Sequence, residues 1–161
     1  MEIDLFGWSL HLGYLRELVL AYALAIPVAF NRELESRSAG LRTFPLVAVG
    51  SCAYVLIGQA IFGEDADAIS RVVYGLMTGI GFIGGGAIVK QDGSAYGTAT
   101  AAAIWSTGAI GAAVAFHRYE IAVSLTLFNL FTLLVLAPIK GMLRHRHRQS
   151  PDSKGDDDPA A

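Results

Sequence analysis

Residues 72–116 decide the reading: VVYGLMTGIGFIGGGAIVK (72–90), QDGSAYG (91–97) and TATAAAIWSTGAIGAAVAF (98–116). Two apolar runs, each close to the roughly 20 residues a helix needs to cross a bilayer, are built largely from Gly, Ala, Ser and Thr. A short polar turn joins them. Lipid gives helices no hydrophobic reason to associate, so runs of this kind pack by close backbone approach. The pair is expected to form the centre of a small polytopic membrane protein.

Composition agrees. Of 161 residues 53% are hydrophobic and 16% charged, with a mean hydropathy of +0.48. The charged share lies well below the quarter or so of soluble domains. The net charge of −2 hides a split. Residues 152–161 hold four Asp and one Lys, while the other 151 residues carry 11 basic and 10 acidic groups. The single cysteine, Cys52, sits in an apolar run, so neither a disulfide framework nor a zinc spacing is present. The first basic residue is Arg16, and without a basic region before the first apolar segment no cleaved leader is expected.

Outward from the central pair, an all-α fold with five spans is expected: about 12–30, 44–62, 72–89, 98–116 and 119–139. Pro27 is expected to kink the first, and His117 with Arg118 to make a tight hairpin of the last two. Loop charge sets orientation. Arg32, Arg37, Arg42, Lys90, Lys140, Arg144, Arg146, Arg148 and Lys154 fall on one side of a five-span chain, against Arg16, Arg71 and Arg118 on the other. Nine against three places the C-terminus in the cytoplasm and the N-terminus outside. Residues 1–139 then form the membrane domain. The tail, 140–161, is basic and then acidic: a membrane-surface anchor, since anionic lipid attracts each Lys or Arg by about 1 kcal/mol, followed by a stretch expected to be disordered. His145 and His147 alternate with arginines, which suits a solvated anchor better than a metal site.

At 100° per residue, Gly75, Gly79 and Gly86 share one face of the third span, and Gly81 and Gly85 form a second groove nearly opposite. Thr100, Thr107 and Gly111 share a face of the fourth, with Trp105 off it. These residues make two helix-packing grooves or, alternatively, one packing groove and one facing a cavity or partner. Two grooves also permit a homodimer. Threonine hydroxyls can bond back to their own helix, so they do not by themselves imply a site.

The loop NRELESRSAGLRT (31–43) is the densest polar stretch before the tail. Asn31, Arg32, Glu33, Gly40, Arg42 and Thr43, with Asp92 from the 90–97 turn, are expected to form a cytoplasmic contact surface. A Glu33–Arg42 pair would hold two helix ends in register, arginine being a rigid fork for carboxylates. Glu17, Glu33, Asp92 and Glu120 all lie at span ends, with no carboxylate at an expected midplane. That argues against a Mg²⁺ or proton path of the usual kind, though not against one lined by backbone carbonyls. No nucleophile–base pair, phosphate loop, zinc motif or cofactor site is legible. GIGFIGGG only superficially resembles a nucleotide-binding glycine pattern, because it lies inside a span.

The residues NRE…AGLRTFPLVAVGS (31–51), GIGFIGGGAIVKQDGSAYGTATAAAIW (79–105) and the small-residue fourth span leading to Tyr119 resemble the MgtC/SapB family of bacterial inner-membrane proteins. The resemblance covers about 12–139. It implies five spans with a cytoplasmic C-terminus, as the charge count does. Family members are often labelled magnesium transporters. The resemblance implies instead a regulatory protein tied to low-magnesium growth, acid tolerance and survival in host cells, in some members through the F-type ATP synthase. Two departures stand out. Many members carry a soluble C-terminal domain where this chain has a short tail. The family pattern of glycine, leucine, two threonines and two alanines reads Gly97, Thr98, Ala99, Thr100, Ala101, Ala102 here. The expectation is a non-enzymatic inner-membrane protein, without bound metal or nucleic-acid partner, regulatory in stress or magnesium homeostasis through a membrane partner. The alternative is a small carrier or channel, for Mg²⁺ among other ions, using the glycine groove.

Overall fold

A computed structural model describes residues 2–5, 8–35, 39–91 and 93–136. The expected tail, with His145 and His147, lies outside the described residues. Five helices make up the body: α1 (Leu12–Glu35), α2 (Phe44–Phe62), α3 (Ala66–Gly86), α4 (Thr98–Ala115) and α5 (Tyr119–Phe131), the last continued by a π-helical turn, Thr132–Leu136. All five are long and apolar enough to cross a membrane, α5 together with its π turn.

Two antiparallel hairpins flank the bundle: β1 (Glu2–Leu5) with β2 (Trp8–His11), and β3 (Val89–Gln91) with β4 (Ser94–Tyr96). The second overturns part of the expected third span. The glycine run 84–86 ends α3 there, each glycine costing a helix about 1 kcal/mol relative to alanine. Ala87 and Ile88 N–H groups close the end on the Gly84 and Gly85 carbonyls, and Val89 enters a strand. Gly93, at φ 74°, follows Asp92, and Asp-Gly between short strands is a strong hairpin signal.

The first span also differs. α1 runs unbroken through Pro27 and past Phe30 to Glu35, which puts Asn31 and Arg32 inside the helix. It continues because Val28, Ala29 and Arg32 are all buried along one stripe, so another helical turn still meets the bundle.

The packed centre is α4 alone, not α3 with α4. Of the residues in the α4 span 56% are buried, against 11% for α3. α4 reaches its neighbours through absent side chains. A Cβ on Gly111 would collide with the Ala48 carbonyl of α2, and one on Gly108 with Ile80 of α3. On α3, a Cβ on Gly84 would lie 3.1 Å from the Ala101 carbonyl. α2 and α3 meet at their far ends, where a Cβ on Gly58 would lie 3.2 Å from Val72. The core has two parts. Ala21, Ala25, Ala48, Cys52, Ile110 and Val114 belong to one cluster, and Val28, Phe44, Ile80 and Ile104 to the other.

This packing predicts a reversal of sign between two alanines. Gly111→Ala drives a methyl into α2 and lowers the melting midpoint in detergent, a loss on the order of 1–3 kcal/mol. Gly81→Ala, with nothing within 4 Å of its Cβ position, holds or raises it, since alanine gains about 0.5–1 kcal/mol in a helix. Equal shifts in fluorescence-detected melts would contradict the arrangement.

Candidate functional site

Polar side chains gather at the two ends of the bundle. At the first end α1 finishes and α4 begins. Arg32 is buried, 7% exposed, and its Nη2 donates to Thr100 Oγ1 at 3.0 Å. Thr100 can meet it because Gly97, at φ 82°, starts α4 where a side chain would strike the Ala87 carbonyl. A guanidinium inside a membrane helix is costly and faces the interior or a cavity. The threonine hydroxyl is therefore a partner for a charge here. Thr107, fully buried, bonds back to the Ala103 carbonyl at 2.8 Å and serves packing. Asn31 is also buried, and its Oδ1 has no hydrogen-bond partner: an acceptor open to a donor from water or another molecule.

Glu33 departs from expectation. Its Oε2 accepts from the Leu41 N–H at 2.9 Å, and no Glu33–Arg42 ion pair forms among the described residues. Gly40 is buried directly against this carboxylate, leaving no room for a Cβ. The carboxylate thus ties the loop back to α1 and leaves Arg42 exposed at the start of α2. Thr43 stands at the N-cap of α2 without a side-chain capping bond. Asp92 lies outside the described residues. The expected surface therefore splits into an interior pair, Arg32 with Thr100, and an exterior rim at Leu41, Arg42 and Thr43.

The expected groove glycines stand apart from the packing. Gly75, Gly79, Gly81, Gly85 and Gly86 have nothing within 4 Å of a Cβ position, whereas Gly111 packs tightly as described. α3 thus makes its close contact through Gly84, and turns both anticipated glycine faces away from its neighbours. Gly75 and Gly79, with Gly50, line a groove of about 1120 Å³ between α2 and α3.

A second polar cluster lies at the opposite end, roughly 22 Å away along α1 at 1.5 Å per residue. Glu17 is 1% exposed. The Tyr119 hydroxyl lies 2.9 Å from each of its carboxylate oxygens, and Arg16 Nη2 donates to Oε1 at 2.6 Å. His117 Nδ1 sits 3.0 Å from the Tyr119 hydroxyl and 3.6 Å from Glu17 Oε1. The hairpin that aims Tyr119 is built on His117, at φ 57°, and on Arg118 N–H donating to the Ala113 carbonyl at 2.8 Å. The expected place of Glu17, at a span end, holds, but the carboxylate is buried there. The charged pair inside an otherwise short apolar run was the available signal of burial. Between the two clusters Ala25, Ala48, Cys52, Ile110 and Val114, each no more than 1% exposed, fill the interior. Among the described residues no group of three or more His, Cys, Asp or Glu could hold a metal ion.

Removing the Tyr119 hydroxyl leaves a buried carboxylate with fewer donors. Tyr119→Phe is expected to destabilise the protein by about 1–3 kcal/mol, and much less in a Glu17→Leu background. Additive losses in thermal unfolding would show that the two side chains are not coupled.

Comparison with known proteins follows the same boundaries. The MgtC family profile matches residues 18–142. The chain is 36% identical to SrpB of Synechococcus elongatus over 134 residues, 76% of this chain and 74% of SrpB. It is 32% identical to YhiD of Escherichia coli K12 over 129 residues and to MgtC of Brucella abortus over 123. The matches span 59% of YhiD and 51% of that MgtC, so the chain corresponds to little more than half of either. No solved structure matches. With five membrane-length helices and a profile match across most of its length, this chain is a multi-pass membrane protein of the MgtC family.

Proposed function

We propose that this protein is a non-enzymatic regulator in the bacterial inner membrane, acting in stress or magnesium homeostasis by contact with another membrane protein. The observation that carries the reading is the contrast between a closed interior and a furnished rim. An apolar layer of Ala25, Ala48, Cys52, Ile110 and Val114 fills the interior between the Arg32 and Glu17 clusters, and the buried hydroxyls of Ser51 and Thr107 are committed to carbonyls of their own helices. A hydrated dication needs oxygen ligands along its path, and this layer offers none from side chains. At the Arg32 end, by contrast, Leu41, Val89 and Tyr96 are exposed, Tyr96 by 55%, beside Arg42 and Lys90. Apolar groups ringed by charge mark contact surfaces. The positive-inside bias of the loops supports a cytoplasmic position for this end.

Family resemblance makes the F-type ATP synthase the first partner to test. The expected result is that ATP-driven proton pumping in inverted membrane vesicles falls when the chain is present, and recovers with Leu41→Glu or Tyr96→Ala at equal expression. Unchanged pumping in all three would remove that partner. The rival reading, a Mg²⁺ carrier, draws on the provisional name of YhiD as a magnesium transporter. Saturable Mg²⁺ flux into proteoliposomes of the purified chain, abolished by Gly81→Leu, would replace the regulatory reading.

A further inference from the structure

The α2–α3 groove has a shape and a charge that the regulatory reading does not use. The two helices touch at Gly58 and Val72. Towards the other end they part, because α3 leans on α4 through Ile80 with Gly108 and through Gly84 with Ala101. The wedge between them is floored by Gly50, Gly75 and Gly79, each with no atom within 4 Å of its Cβ position. Leu46 and Tyr54 on α2, and Phe82 on α3, line it as large exposed side chains, 68%, 63% and 85% exposed. Ser51, also lining it, has its hydroxyl committed to the Val47 carbonyl at 2.7 Å. Most of the surface is hydrocarbon, so a hydrated cation finds little to replace its water.

The open end is different. Arg42 lines it and makes no hydrogen bond or ion pair with any described residue. Thr43 beside it has a hydroxyl not used in capping, and the N-terminus of α2 adds its positive end. The Glu33 carboxylate is already bonded to the Leu41 N–H. Arginine pairs with phosphate through two parallel donors. The narrow end also has an arginine, Arg71, but Asp65 and Asp67 stand within two turns of it, so an anion is repelled there. We propose that the groove binds one anionic phospholipid, its phosphate on Arg42 and Thr43 and its acyl chains lying over the three glycines towards Val72. The charge asymmetry favours this occupant over a partner helix, which would need no phosphate site and would meet the projecting Leu46, Tyr54 and Phe82.

The test uses the full chain, purified and delipidated, in native mass spectrometry with phosphatidylglycerol or phosphatidylcholine of the same acyl chains. Phosphatidylglycerol is expected to be retained at least tenfold better. Arg42→Gln removes that preference, Arg71→Gln keeps it, and Gly79→Leu loses both lipids by filling the slot. Equal amounts of inorganic phosphate do not displace the lipid. A second readout does not depend on the glycine variant folding. Tryptophan fluorescence of Leu46→Trp is quenched more by brominated phosphatidylglycerol than by brominated phosphatidylcholine, and the difference vanishes with Arg42→Gln. No lipid preference in wild type, or a preference that survives Arg42→Gln, overturns the proposal. A disulfide-linked dimer through Gly79→Cys that excludes lipid would assign the groove to a second copy instead.

Discussion

The structure depends on the approach of α4 to its neighbours at main-chain distance. Gly111 lies against the Ala48 carbonyl, Gly108 receives Ile80, and Gly84 lets α3 reach Ala101. In lipid the gain from association comes from contacts that bulky side chains would prevent. Three missing Cβ atoms therefore set the position of α4 relative to α2 and α3. They also set where α3 must lean, and so where a wedge opens against α2.

That arrangement places the buried charges at the two ends, while the mid-helix polar groups Ser51, Thr107 and Thr126 bond to main-chain carbonyls. Arg32 is tolerable inside the bundle because Thr100 meets it, and Thr100 is there because a left-handed glycine starts α4. Glu17 is tolerable because Tyr119 and Arg16 meet it, and Tyr119 is there because α4 turns into α5 within three residues. Each buried charge sits at a helix end, where a neighbouring chain reversal supplies a donor or acceptor. Placing either one turn deeper would surround it with alanine and valine.

The bundle also separates two roles that glycine plays in one helix. α3 carries glycines at 75, 79, 81, 84, 85 and 86, and helical angle sorts five of them into two grooves while leaving out Gly84. Only Gly84 bears on another helix. The run at 84–86 ends the helix, and Gly75 and Gly79 leave a floor uncovered. Helical angle assigns residues to faces, but which face meets protein depends on the lean of the helix, and the lean is set by α4.

Five apolar spans, the small-residue character of the fourth and the family were legible in the chain itself, because hydrophobic length, loop charge and motif spacing are local properties of sequence. The polar turn at Asp92-Gly93 was legible too, but its two flanking strands were not, because an apolar Val89 reads equally well as the end of a span. The burial of Arg32 and Glu17, the turning of Glu33 from Arg42 to the Leu41 amide, and the single close contact made by α3 were decided by tertiary structure. Each depends on which atoms from distant segments arrive within a few ångströms, and a side chain's solvation in a membrane protein is a property of that neighbourhood rather than of its place along a helix.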